Sequence, residues 1–350
     1  MSLKPLSKQA AQGIVFLTML MLAISPVQAE GFFKQRIKER IKQKLEETPP
    51  PEATASVKDK LTQPGDYYFS IQHDGLPRMY RVHVPEGYNG ASPAPLLIAF
   101  HGGGGDMDYM AKDEHYGLIA KSDKEGFVLV FPSGYSKFKS GKIATWNAGK
   151  CCGDARDKKI DDVGFVRQII SNLSAQMKID RNKIYATGMS NGGMMSHRLA
   201  CEMADTFKAV APVAGTDGTL SCNPSQPISV LNIHAINDTH VLFNGGAGKD
   251  VFKDASMVTE FVSVPETVAR WVKRDQCTGS PQRVLSVEGA YCDQYSSCAG
   301  GVKVQVCVTE SGGHSWPGGN KPGGIKRDKE DTSKAISAND VMWDFFESLN

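Results

Sequence analysis

Residues 67–73 and 79–84 read as the two strands of an opening hairpin, with Asp74-Gly75 at its turn. Residues 96–100 and 127–131 are instead continuously apolar and bounded by Pro or Gly, the pattern of strands covered on both faces. The stretch between them, 109–124, has helical composition. Farther along, Phe165, Val166, Ile169, Ile170 and Leu173 recur at helical spacing behind Asp162, which predicts a helix capped by that aspartate. Strands over 184–187, 209–213, 230–234 and 302–309 alternate with helices over 191–204, 265–274 and 338–349. Such alternation predicts the α/β class, with a mostly parallel central sheet and helices on both faces.

The pattern ahead of that region differs. Residues 13–24 are almost wholly apolar behind Lys4 and Lys8, and Val27-Gln28-Ala29 supplies a small-residue cleavage site. The run is short for a membrane span and predicts a signal peptide over 1–29, hence a secreted or periplasmic protein. In residues 30–47, Phe33, Ile37, Ile41 and Leu45 recur at steps of four in a basic background. This is a basic amphipathic helix, read as a solvated spacer, with weak membrane-surface contact through 31–47 as the alternative. Three consecutive prolines within 48–55 predict a stiff linker, so the segments are a leader (1–29), helix and linker (30–60) and one catalytic domain (61–350).

Composition narrows the function. The 350 residues hold 40 Lys and Arg against 38 acids, and removing the leader with Lys4 and Lys8 leaves 38 against 38, which argues against nucleic acid as a partner. All eight cysteines lie beyond the cleavage site without a zinc-like spacing, so they predict disulfides in an oxidising compartment. The expected pairs are Cys201–Cys222 and Cys277–Cys307, while the adjacent Cys151 and Cys152 bond to each other or to separate partners.

Gly188-Met189-Ser190-Asn191-Gly192 sits between a predicted strand and the helix behind it. A serine hydroxyl reacts when it is exposed, oriented and beside a base, and a cramped strand-to-helix turn flanked by glycines exposes it. His101-Gly102-Gly103-Gly104-Gly105 directly follows the strand at 96–100. The backbone N–H groups of Gly102, Gly103, Gly104 and Asn191 are candidate donors to an oxyanion. No Gly-Lys-Ser/Thr follows, which argues against a phosphate-binding loop. Downstream of Ser190, His197 falls on a helix and His234 inside an apolar strand, where core histidines are expected. His314, in a glycine-rich loop after the last predicted strand, is the candidate base, with His240 as competitor. Asp238, just after the strand at 230–234, is the candidate orienting acid, with Asp217 as the alternative. Trp146 and Trp316 either line the substrate pocket or serve packing, and His101 is a further candidate for contacting substrate. A Ser–His–Asp mechanism requires no metal or organic cofactor.

Several strings together give the chain a family resemblance. They are Ala99-Phe100-His101-Gly102-Gly103-Gly104, Cys151-Cys152-Gly153, Asp161-Asp162-Val163-Gly164-Phe165, Tyr185 through Met194, Ala209 through Gly215, and His314-Ser315-Trp316-Pro317-Gly318. In combination they resemble the secreted α/β hydrolases grouped as poly(3-hydroxybutyrate) depolymerase-like and feruloyl or acetylxylan esterase-like. The resemblance implies Ser190 as nucleophile, Asp238 as acid and His314 as base, and a polymer-derived ester as substrate. Such proteins usually carry His-Gly-x-x-Asp-x-x-Val-Pro-Tyr, where this chain has Ala235 for the glycine and Leu242-Phe243 for Pro-Tyr. An amide hydrolase with the same triad, or a silent surface-binding protein, are the alternative readings.

Overall fold

The computed structural model describes residues 26–249, 251, 260–320 and 331–349. The expected leader thus lies, up to residue 25, outside the described residues. The chain divides into two units, Met1–Pro49 and Pro50–Asn350. In the first, helix α1 spans Pro26–Glu47 and runs through the expected cleavage site, with Phe32, Ile37 and Ile41 exposed.

The second unit is built on one ten-stranded sheet: β1 (Gly65–His73), β2 (Leu76–Val84), β3 (Ala94–Phe100), β4 (Val128–Pro132), β5 (Ile179–Met189), β6 (Ala209–Val213), β7 (Ser229–Ala235), β8 (Gln282–Val287), β9 (Ala290–Tyr295) and β10 (Val304–Thr309). Their spatial order is β1-β2-β4-β3-β5-β6-β7-β10-β9-β8. From β4 to β10 every pairing is parallel, whereas β1, β2, β8 and β9 join antiparallel at the two edges. The longer helices are α2 (Leu118–Glu125), α3 (Asp162–Gln176), α4 (Asn191–Glu202), α5 (Val264–Arg274) and α6 (Ala338–Glu347).

The continuous apolar run of β3 has a direct cause. Leu96, Ile98 and Phe100 enter one core with Phe165, Ile169 and Leu199, while Leu97 and Ala99 enter a second with Trp343 and Phe346. Successive side chains of a strand point to opposite faces, so a sheet covered on both sides needs apolar residues at every position. The opening hairpin turns at Asp74 (φ 50°) and Gly75 (φ 72°), two positive φ values in succession, which suit the right-handed strand twist.

Three expectations need correction. The helical stretch 109–124 is broken into Met107–Met110, Asp113–Tyr116 and α2, because Gly117 (φ 63°) ends the second piece in the left-handed region. Asp162 is not the cap of α3. Asp161 is, its carboxylate accepting from Gly164 N–H at 2.9 Å, while Asp162 is buried in a 2.6 Å ion pair with Arg78. The hairpin of β8 and β9 went unread because β8 is mostly exposed and carries no apolar run. It also changes the disulfides: Cys292 faces Cys307 across β9 and β10 and bonds to it, leaving Cys277 to bond Cys298. Cys201–Cys222 forms as expected, and Cys151 bonds its neighbour Cys152. The second unit begins at Pro50, and its first residues are tied to the sheet, Thr54 and Ala55 N–H groups donating to Tyr68 O and Leu61 being buried.

Candidate active site

Ser190, Asp238 and His314 leave the sheet at the carboxyl ends of β5, β7 and β10. Only β6 lies between β5 and β7, and β10 adjoins β7. At a strand spacing of about 4.8 Å, the first two loops emerge about 10 Å apart. A crevice at the carboxyl ends of parallel strands is where open α/β sheets place their ligands.

Ser190 joins β5 to α4 with φ 57° and ψ −119°, and its N–H donates to Val213 O at 2.8 Å. The turn is so tight that a Cβ at Gly188 would stand 2.6 Å from Gly192 C and 2.7 Å from Phe100 O. Ser190 itself stays half-buried rather than enclosed. Asn191, the first residue of α4, grips the neighbouring loop reciprocally: its Oδ1 accepts from Trp146 N–H (2.7 Å) and its Nδ2 donates to Trp146 O (3.1 Å).

The acid and base candidates meet. His314 Nδ1 lies 2.8 Å from Asp238 Oδ2, and Asp238 Oδ1 accepts from the N–H groups of His240 (2.8 Å) and Val241 (3.0 Å). Burial alone would raise the Asp238 pKa, but the neighbouring His314 charge and the hydrogen bonds of His234 and His314 outweigh it and hold the carboxyl well below its usual range. Asn237 Oδ1 accepts from Gly313 N–H at 2.9 Å, so the two loops are tied at adjacent residues. In the sequence, Asn237 is marked only by its place beside the acid. His240, the competing base by sequence position, stacks its ring on His314 with centroids 4.5 Å apart.

Asp238, His240 and His314 are also the group of described side chains that converges enough to be weighed as a metal site, with ligand atoms all within 4.8 Å. The two imidazole planes are inclined by only 18°, so their in-plane lone pairs run side by side instead of converging. That geometry suits an acid–base pair better than a chelate.

The glycine loop passes against Ser190, where a Cβ at Gly102 would stand 3.5 Å from Ser190 Cβ. One expected donor is withdrawn: Gly104 N–H donates to Ala144 O at 2.8 Å. Gly102, Gly103 and Asn191 remain as candidate oxyanion donors.

The structure does not support substrate contact by three side chains. His101 is fully buried, its Nδ1 on Gly102 O (2.8 Å) and its Nε2 accepting from Gly134 N–H (3.0 Å). Burial pushes its pKa down to about 4, in keeping with the neutral tautomer those contacts require. Trp146 is fully buried and donates to His101 O, and Trp316 is buried with its Nε1 on Asn339 Oδ1. All three hold loops in place. The alternative acid, Asp217, is buried against Thr219 and Arg274, and Trp271 donates to His197 Nδ1 in the core. A cleft of about 300 Å³ is lined by Leu76, Met107, Tyr135 and Phe138 among others, and a groove of about 760 Å³ by Phe243, Val268, Tyr291 and Val308 among others. Ser190, Asp238 and His314 line neither.

Comparison with known proteins follows the same lines. Residues 79–239 match the family model described as Esterase PHB depolymerase. The chain is 34% identical over 240 residues to feruloyl esterase B of Piromyces equi, an alignment spanning 67% of this chain and 42% of that protein. It is 31% identical over 267 residues to "Putative esterase NocK" of Nocardia uniformis subsp. tsuyamanensis, covering 71% of this chain and 73% of the other. Among solved structures, acetyl xylan esterase from Aspergillus awamori superposes with a TM-score of 0.53 at 13% identity, over 80% of this chain and 98% of its own, and so shares the fold. The chain spans less than half the length of the Piromyces relative.

Proposed function

The chain belongs to the esterase family of PHB depolymerase type, with the α/β-hydrolase fold, and from that premise we propose that it is an exported serine carboxylic-ester hydrolase acting on esters carried by polymers. The observation that carries the proposal is the 2.8 Å contact between Asp238 and His314 at the carboxyl ends of the parallel strands, where Ser190 is held at positive φ. Ser190 Oγ forms a bond to the ester carbonyl carbon while its proton passes to His314, and Asp238 fixes the imidazole tautomer and balances the imidazolium. The carbonyl oxygen, now negative, faces the N–H groups of Gly102, Gly103 and Asn191. His314 returns the proton to the departing alkoxide as the carbon–oxygen bond breaks. Water then repeats the sequence on the acyl-enzyme, and the acid leaves. The fungal relatives named for feruloyl and acetylxylan ester cleavage, together with the family's own name, favour feruloyl or acetyl esters of plant polysaccharide or a polyhydroxyalkanoate. Four disulfides support an oxidising compartment and hence removal of residues 1–29 on export.

The test is a rate panel of wild type and Ser190→Ala on p-nitrophenyl acetate and butyrate, methyl ferulate, acetylated xylan and a hydroxybutyrate oligomer. Turnover by the wild type, reduced by about 10⁴-fold or more in a folded Ser190→Ala, is the expected result, and the best substrate selects the branch. A folded, oxidised wild type that cleaves peptide amides but none of these esters would overturn the reading.

A further inference from the structure

We propose that α1 is an interfacial anchor that lays its apolar rib on an anionic lipid bilayer and holds the catalytic unit at that surface. The argument begins with a four-residue pattern. Residues 32–47 read Phe-Phe-Lys-Gln, Arg-Ile-Lys-Glu, Arg-Ile-Lys-Gln, Lys-Leu-Glu-Glu. In an α-helix, four residues advance the chain by roughly 400°, so positions four apart form a rib that drifts only about 40° per step. The pattern therefore sorts α1 into four ribs. One is apolar: Phe33, Ile37, Ile41 and Leu45. A rib of Lys34, Lys38, Lys42 and Glu46 adjoins it on one side, with Lys42 Nζ 3.8 Å from Glu46, and a rib of Arg36, Arg40 and Lys44 on the other. Gln35, Glu39, Gln43 and Glu47 form the remaining rib, on the opposite side.

The polar rib is tied along its length, Gln35 to Glu39 at 3.2 Å and Gln43 to Glu47 at 2.7 Å. The apolar rib is different, with Ile37 and Ile41 exposed by 56% and 54%. A helix with two exposed isoleucines in a row and cations outnumbering acids on both flanks matches a surface that is apolar just beneath a negative layer. Phospholipid with anionic headgroups has that layering: acyl chains take the isoleucines, and the flanking cations reach the headgroups. No helix among the described residues is long and apolar enough to cross a membrane, so the contact is lateral.

Co-sedimentation of the exported chain, beginning at residue 30, with phosphatidylglycerol vesicles and with phosphatidylcholine vesicles tests this. Expected is binding to the anionic vesicles that falls about tenfold or more when NaCl is raised from about 0.05 to 0.5 M. A similar loss is expected in Ile37→Glu/Ile41→Glu and in Lys34→Gln/Lys38→Gln/Lys42→Gln. Both variants should turn over p-nitrophenyl butyrate like wild type, because α1 belongs to a unit separate from Ser190, Asp238 and His314. Turnover thus reports on the esterase reading and sedimentation on the anchor. Equal binding to both lipids, absence of binding, capture by dextran sulfate but not by vesicles, or wild-type binding by either variant would each overturn the proposal.

Discussion

Ser190 holds a backbone conformation that strains a non-glycine residue by about 1–3 kcal/mol, and such strain persists only where its surroundings over-determine it. Here the surroundings are Val213 O on its N–H and the Asn191 clamp on Trp146. The chemistry assigned to Asp238 separates it from Asp217 by experiment. Asp238→Asn would leave His314 facing an amide and in the wrong tautomer, so kcat should fall by about 10⁴-fold. Asp217→Asn should do the reverse, keeping kcat while removing about 3 kcal/mol of stability by stranding Arg274, which lies 2.9 Å from that carboxylate. Steady-state kinetics and denaturation of the two variants check both halves. Ser190, Asp238 and His314 were nominated in the sequence because the strand-turn-helix context and chain order limit the choices. Sequence leaves Trp146 and Trp316 open between packing and substrate contact and does not show that His101 packs, since burial depends on loops far away in the chain: the partner of Trp316 is Asn339, and that of His101 is Gly134.

Elements were readable where one physical rule acted alone. β3, β6 and β7 are buried along nearly their whole length, so their apolar runs gave them away, and the α4 helix follows a motif that demands it. β8 and β9 obey pairing rather than composition, which is why both the hairpin and its disulfide were missed. Non-reducing peptide mapping should recover Cys277 with Cys298 and Cys292 with Cys307; a Cys277–Cys307 peptide would contradict the register of β9 and β10. The N-terminus of α3 shows the same lesson in energetic form. Adjacent aspartates look interchangeable in sequence, yet Asp161 caps while Asp162 binds Arg78 of β2 with both side chains buried. Breaking that pair leaves a buried charge, so Arg78→Leu should destabilise by about 3–5 kcal/mol. Arg81, three residues along the same strand, pairs with the exposed Asp66, and Arg81→Leu should cost about 1 kcal/mol or less. Chemical denaturation of the two variants compares them directly.

At the scale of the whole molecule, buried titrating groups outside the candidate triad set how the fold responds to acid. Burial pushes His101 and His197 down to about 4, whereas an unfolded histidine titrates near about 6.5. Between those values each unfolded histidine holds a proton that its folded counterpart lacks, so stability is lost as pH falls through the window. Asp275 opposes them. Burial raises its carboxyl to about 7, against about 3.9 unfolded, and so the folded state holds the extra proton and this contribution fades as pH rises. Its Oδ1 accepts from Ile228 N–H at 3.1 Å, and its Oδ2 has no hydrogen-bond partner among the described residues. His83, raised by its hydrogen bonds to Asp66 and Asp123 against the opposing effect of burial, acts above the histidine window, and the lowered Asp66, Asp217 and Asp238 act below it. From about pH 4 to 6.5 two protons are therefore set against one, and stability should rise by about 1.4 kcal/mol per pH unit. Asp275→Asn removes the opposing proton while keeping an acceptor for Ile228. Its slope over the same window should double, and its advantage over wild type should grow from pH 4 to 7 and then level off. Urea midpoints measured at half-unit intervals across that range decide the matter, because a variant slope equal to that of the wild type would mean that Asp275 is ionised in the folded protein throughout.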